Sequence, residues 1–206
     1  MINYNEFSDE QKILHVKKVG DYFLEPVNIK YGINELDVHT VVELYNYFKR
    51  LDKAQLTPSK GIILAGKIGC GKTMLMNILS RLTDEPFMFV NCNDFANNIY
   101  MYGMQAPALE RITNMQANIF EKPVNDILVD DVGASAYELN TYGNKIDVIE
   151  HVLMLRYELY RKFKVKTHIT TNLKPNQLAE RFTSRMYSRL REMCQYCVLK
   201  GNDLRI

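Results

Sequence analysis

The run Gly66-Lys67-Ile68-Gly69-Cys70-Gly71-Lys72-Thr73 fits the pattern G-x-x-x-x-G-K-[ST]. Residues of these types at this spacing bind the phosphates of a nucleoside triphosphate. The glycines let the backbone curl so that its N–H groups face phosphate oxygens. A helix opening near Lys72 adds the positive end of its dipole. Lys72 is expected to reach the β- and γ-phosphates, and the Thr73 hydroxyl to ligate Mg²⁺. Met74, next along the same helical turn, is counted with the loop. The expected ligands are therefore ATP and Mg²⁺.

A second group of chemical residues lies at Asp126-Ile127-Leu128-Val129-Asp130-Asp131. A buried apolar strand that ends in acids carries carboxylates to the carboxyl edge of a sheet, where phosphates bind in open α/β folds. Asp130 is expected to hold the Mg²⁺ hydration shell. Asp131 is expected to orient and deprotonate the attacking water. Thr170-Thr171-Asn172 ends a later strand, so Asn172 can touch the γ-phosphate or that water. Asn172 could equally serve a helix that starts at Lys174-Pro175.

These residues need a particular scaffold. Leu36 to Leu51 repeats apolar residues at helical spacing, and Thr57-Pro58-Ser59 marks a turn. Gly61 to Ala65 is a short apolar run of the kind found in buried parallel strands. Helix is expected from Thr73 to Leu82, strand from Pro86 to Val90, and helix over 94–119 with a break near Gly103 and Pro107. Ile127 to Val129 predicts a third strand, 144–163 a long helix, and Val165 to Thr170 a fourth strand. Two short helices over 175–191 and a last strand, Tyr196 to Leu199, complete the pattern. Strands alternating with helices predict an α/β fold, a parallel sheet with helices on both faces. Residues 1–35 are polar and broken by Gly20, Pro26 and Gly32. They read as an irregular N-terminal extension with one short helix, a candidate partner-binding segment, ahead of an ATPase domain over 36–206.

Bulk properties narrow the class. The chain has 206 residues, 47% of them hydrophobic and 24% charged, which suits one globular domain with a short extension. It has no apolar run long enough to cross a membrane and no secretory leader, so a cytoplasmic protein is expected. Cysteines at 70, 92, 194 and 197 fit reduced thiols in that compartment. Cys194 and Cys197 form a C-x-x-C pair that could hold zinc or a redox couple. The flanking CQYCVLK reads more simply as a strand entering the core, since no second ligand pair accompanies it. Net charge is only +2, but residues 156–191 hold ten Lys or Arg against two Glu. That tract is either a solvated face or a footprint for nucleic acid or nucleotide phosphate.

The tail adds a pattern of its own. Arg181-Phe182-Thr183-Ser184-Arg185-Met186-Tyr187-Ser188-Arg189-Leu190-Arg191-Glu192, closing on Gly201-Asn202-Asp203-Leu204-Arg205, resembles the DnaC/IstB family of AAA+ proteins. The phosphate loop, the Asp130-Asp131 strand with Val132-Gly133, Arg156-Tyr157 and Thr170-Thr171-Asn172-Leu173 extend the resemblance over roughly residues 58–206. That family comprises bacterial replicative-helicase loaders and helper ATPases of transposition. The resemblance implies a P-loop NTPase of the AAA+ type. Asn172 would be its polar sensor, and Arg185 an arginine finger reaching the γ-phosphate held by a neighbouring subunit. Arg205 would be a second sensor, touching phosphate in its own subunit. Arg156 and Arg189 match family positions at the subunit interface or in structural ion pairs. Most AAA+ ATPases carry Glu after the magnesium Asp, whereas Asp131 is one methylene shorter. No C-terminal lid domain is expected after Arg205, and the family's larger N-terminal domain is expected to be missing or reduced to about the first 35 residues.

Two DNA-linked readings follow: a loader that grips single-stranded DNA and a replicative helicase, or a helper that presents target DNA to a transposase. Either implies a homo-oligomer. A small-molecule P-loop kinase, and a nucleotide switch that does not hydrolyse, stay open as other classes.

Overall fold

The computed structural model describes residues 3–25, 37–84, 86–113, 125–133, 136–141 and 144–204. Five parallel strands form one sheet flanked by helices, in the order β2-β3-β6-β1-β7. The strands are β1 (Gly61–Ala65), β2 (Met88–Asn91), β3 (Ile127–Val132), β6 (Thr167–Thr171) and β7 (Cys194–Val198). β1 and β6 are buried at every residue. That is why both read as unbroken short runs instead of alternating ones.

The chain divides into two units. The first takes in residues up to Pro58, Leu64–Pro86 and Tyr196–Ile206. Here α1 (Asp9–Leu24), α2 (Val38–Phe48) and α3 (Lys72–Leu82) pack on one another. The N-terminal segment differs from its expectation as an irregular stretch with a short helix, because α1 runs 16 residues. Ser8 and Gln11 form a reciprocal capping box that starts it. Lys12, Val16 and Gly20, four residues apart, are all buried along one face. Gly20 is therefore a packed helix position and not a break. Asp37 caps α2, one residue beyond the expected start at Leu36, which lies outside the described residues.

The second unit comprises Ser59–Ile63 and Phe87–Gln195. β3 pairs in parallel with β2 and β6. The break expected near Gly103 and Pro107 is present: α4 (Cys92–Tyr102) stops at Gly103, and α5 (Pro107–Thr113) follows. Residues 114–119 lie outside the described set. A polar hairpin, β4 (Glu138–Thr141) against β5 (Asn144–Asp147), replaces the expected first turn of the long helix. Asp147 accepts from the N–H groups of Ile149 and Glu150, so α6 begins at Val148 and runs to Phe163. α7 (Pro175–Arg181) and α8 (Ser184–Met193) precede β7. Both cysteines of the C-x-x-C pair stand on β7, three residues apart and so on opposite faces. Burial pushes the Cys194 thiol up to about 12 and the Cys197 thiol up to about 11. Among the described residues no three His, Cys, Asp or Glu side chains gather where they could hold a metal ion.

Candidate functional site

The phosphate loop, in the first unit, bends at its glycines. Gly69 and Gly71 adopt left-handed backbone, with φ of 77° and 85°. Gly71 is also the N-cap of α3 and provides no side-chain acceptor, so the first N–H groups of the helix stay available to an anion. Lys72 is buried, and its Nζ donates to the carbonyls of Gly66 at 3.0 Å and Lys67 at 2.8 Å. It is thus already folded over the loop. Thr73 is exposed in the first turn, Met74 half-buried, and Cys70 fully buried. Lys67 and Ile68 stand exposed at the crest.

The chain's last described residues brace this loop. The Leu199 N–H donates to the Ala65 carbonyl at 2.7 Å, and the Leu204 N–H to the Gly69 carbonyl at 3.0 Å. A Cβ at Gly66 would come within 2.6 Å of the Leu199 carbonyl oxygen. A Cβ at Gly69 would collide with the Asp203 carboxylate. Gly66 is therefore demanded by the tail's backbone, and Gly69 by its left-handed φ of 77°. Arg205, expected as the second sensor, lies outside the described residues.

The acids belong to the second unit. Asp130 is 8% exposed near the end of β3, and Asp131 beside it is exposed. Asp131 has φ of 61°, a left-handed conformation that Asp tolerates better than most residues. The register of β3 against β6 shifts between Val129 and Val132 as a result. The bend is fastened from β6. The Thr170 hydroxyl accepts from the Asp131 N–H at 2.8 Å and donates to the Asp130 carboxylate at 2.6 Å. The Thr171 hydroxyl donates to the Val132 carbonyl at 2.6 Å. Asp130 is thereby held in the core while Asp131 swings outward. Cys92, buried at the start of α4, has its thiol pushed up to about 12 by burial, then by the charges of Asp131 and Asp130. It is a neutral neighbour and not a nucleophile.

Asn172 is exposed just beyond β6. Arg185 is exposed in the first turn of α8, with no hydrogen bond or ion pair among the described residues. Two other arginines have structural duties. Arg156 is fully buried and donates to the Thr167 hydroxyl and to the carbonyls of Ile112, Asn125 and Lys166. Desolvation pulls it down to about 10. Arg189 lies over the Tyr157 ring, 4.7 Å from its centroid, with Glu158 at 3.9 Å. An interface position for Arg156 is therefore wrong: a residue without surface cannot face a second subunit. The basic tract is also less free than its composition implies. Arg161 has Glu192 at 3.7 Å, Lys166 has Asp126 at 3.6 Å, and Arg181 pairs with Asp147. Lys162, Lys164, Lys174, Arg185 and Arg191 remain exposed.

Two residues that fasten the acid turn carry no local signal in the sequence. Thr170 ends a strand, where threonine also reads as an ordinary β-former. Arg181 stands in the basic tract and in the tail pattern without any mark of its own role. Its partners, Gly133 and Asp147, are 48 and 34 residues away, a separation no local pattern records.

A hydroxyl and a buried carboxylate are hard oxygen donors, which suit Mg²⁺ bound mostly by phosphate and water. No helix among the described residues is long and apolar enough to cross a membrane.

Known proteins share this architecture. The crystal structure of the DnaC helicase loader superposes with a TM-score of 0.55 and 18% identity, covering 79% of this chain and 89% of that one. DnaI gives a TM-score of 0.56 at 18% identity, over 79% and 84%. At such identity these likenesses speak for the fold. In sequence, the ATP-dependent zinc metalloprotease FtsH 2 of Thermoanaerobacter sp. is 23% identical over 143 residues, 69% of this chain and 27% of that protein. The ATP-dependent protease ATPase subunit HslU of Lactobacillus gasseri is 33% identical over 75 residues, 34% of this chain and 16% of that one. The chain thus matches about a quarter or less of these relatives' length. Residues 62–195 match the family described as AAA domain, which takes in the phosphate-binding helix, the acid strand and the last helices. The chain belongs to the AAA domain family.

Proposed function

We propose that this protein is a cytoplasmic, Mg²⁺-dependent ATPase of the DnaC helicase-loader kind, working as a homo-oligomer on single-stranded DNA with a replicative helicase as partner. The support for a loader is the extent of the likeness to DnaC and DnaI, which covers most of both chains. The support for catalysis shared between subunits is Arg185, an exposed arginine in the first turn of its helix with no internal partner among the described residues. That observation carries the reading. An arginine kept for structure finds a carboxylate or carbonyls, as Arg156 and Arg189 do.

By residue type the roles follow. The loop amides and Lys72 bind the phosphates. Thr73 and Asp130 would hold Mg²⁺, which when bound neutralises charge on the β- and γ-phosphates. Asp131 takes a proton from water as the water oxygen attacks the γ-phosphorus, and ADP leaves with the former bridging oxygen. Asn172 steadies the water or the γ-phosphate. Arg185 of the adjacent subunit meets the charge that builds there, and Arg205 meets phosphate in its own subunit. The exposed Lys162, Lys164, Lys174 and Arg191 offer DNA phosphates a sequence-independent, salt-sensitive contact.

A mixing experiment tests the shared site. Arg185→Ala subunits should bind ATP yet turn over roughly 10³–10⁵ more slowly, the measured worth of arginine fingers. Lys72→Ala subunits should be inactive as well. Mixed, Lys72→Ala chains lend their intact Arg185 to Arg185→Ala sites, and part of the activity returns. Mixed oligomers that stay inactive at every ratio would sink the reading. Capture in ATP then identifies the partner: a replicative helicase supports a loader, whereas a transposase would favour the transposition helper.

A further inference from the structure

We propose that Arg181 is a positioning residue that ties the Asp131 turn to the helix presenting Arg185, so that one side chain sets both the acid a subunit keeps and the finger it offers its neighbour. The proposal rests on the reading of Arg185 as a finger in trans.

Arg181 is the last residue of α7, and its side chain is 4% exposed. Its Nε donates to the carbonyl of Gly133 at 3.2 Å. Gly133 lies two residues beyond Asp131, so this bond holds the far end of the acid turn. The Nη1 of Arg181 donates to Oδ2 of Asp147 in a buried ion pair. The other oxygen of Asp147, Oδ1, caps α6 by accepting from the N–H groups of Ile149 at 3.1 Å and Glu150 at 3.5 Å. Glu150, one turn into the same helix, accepts both the N–H and the hydroxyl of Thr183. Thr183 is the N-cap of α8, accepting from the Met186 N–H at 3.3 Å, and Arg185 follows two residues later.

The contacts form one chain. From Asp131 through Gly133 to Arg181, then through Asp147 and Glu150 to Thr183, each link is a hydrogen bond or a short piece of backbone. The guanidinium also lies over the Phe182 ring, 4.8 Å from its centroid. Its Nη2 is buried with no hydrogen-bond partner among the described residues. A buried donor left unspent is costly and calls for a reason. Among the described residues it sits on a side chain joined to both the acid turn and the cap of α6.

The test uses the full chain in four variants: Arg181→Met, Arg181→Lys, Arg185→Ala and Lys72→Ala. Lysine keeps a cation for Asp147 but lacks the planar fork that also reaches Gly133. Alone, Arg181→Met should lose about 10²-fold in kcat, the scale of a 1 Å misplacement, with KM for ATP within about twofold of wild type. Arg181→Lys should fall between. If Arg181→Met does not fold, Arg181→Lys takes its place in every mixture. Equal mixtures are then compared with the reference mixture of Arg185→Ala and Lys72→Ala. Arg181→Met with Lys72→Ala supplies good fingers to sites with a disturbed acid turn. Arg181→Met with Arg185→Ala supplies disturbed fingers to sites with a good acid turn. Both should stay at least about 10-fold below the reference. Recovery of the first mixture would mean that Arg181 serves the finger alone, and recovery of the second that it serves the acid alone. Either overturns the link, as would a rise in KM that matched the fall in kcat. A reference mixture that itself shows no activity would instead remove the trans finger, and the link with it.

Discussion

The phosphate loop leaves β1 and the acid turn ends β3, and the two bend for opposite reasons. The loop bends because Gly69 and Gly71 lack a Cβ, at φ of 77° and 85°. Its shape is written in consecutive residues and could be read from them. The acid turn bends through Asp131, a residue with a side chain, at φ of 61°. Nothing adjacent forces that conformation. It is held by the Thr170 hydroxyl from β6 and by Arg181, which grips the Gly133 carbonyl. A contiguous motif therefore discloses geometry, whereas a turn fastened by distant side chains discloses only its residue types.

The largest expected effect belongs to the loop. Lys72→Ala should abolish measurable ATP binding, since each charge-assisted hydrogen bond lost is worth about 1.5–3 kcal/mol. It also removes the ammonium that now ties the Gly66 and Lys67 carbonyls. Titration with a fluorescent ATP analogue checks this, and near-normal affinity would show that the loop binds phosphate through its amides alone.

On the acid side the effect should fall on rate and not on binding. Asp131→Asn keeps a residue that accepts left-handed backbone, so the turn should survive. The amide cannot take the water's proton, and turnover should drop by about 10²–10⁴-fold, the usual worth of a general base. Phosphate release at the wild-type rate would remove Asp131 from that role.

Thr170→Val separates the acids from their fastening. The change is nearly isosteric, yet it strips the Asp131 N–H of its acceptor and the buried Asp130 carboxylate of a donor. Each buried group left unpaired costs about 1–3 kcal/mol. Turnover should fall by about 10–100-fold through misplacement, with ATP affinity held. Unchanged kinetics would mean that the hydroxyl is incidental to the turn.

How much could be read in advance follows the same division. The loop, β1 and the two short tail helices were legible, because glycine spacing and apolar periodicity are local signals. α1 was not, because Gly20 reads as a breaker unless its burial on the Lys12–Val16 face is known. The β4–β5 hairpin was hidden by its polarity: Glu138 and Lys145 meet in a surface ion pair at 2.8 Å, and only Leu139 and Ile146 pair as apolar residues. Asp130 and Asp131 were legible as acids, but their different burial was not.

The smallest expected effect asks whether the bend at Asp131 is a property of the turn or of its residue. In left-handed backbone an ordinary L-residue costs about 1–2 kcal/mol, while Asp and Asn offset part of that by local hydrogen bonding and glycine escapes it. Asp131 is exposed, so substitutions there disturb little packing. Asp131→Asn should therefore melt with the wild type, and Asp131→Glu should lose about 1 kcal/mol, or about 2–4 °C for a domain of this size. Asp131→Gly removes the steric cost but gains freedom in the unfolded chain, which cancels some of the benefit. It should melt at or slightly above the wild type. This order gives a physical reason for aspartate where most AAA+ ATPases carry glutamate: the longer acid is strained in a left-handed turn that the Thr170 and Arg181 contacts impose. An Asp131→Glu protein that melts with the wild type would show that the turn relaxes freely. The contrast between a loop shaped by its own glycines and a turn shaped from afar would then lose its energetic basis.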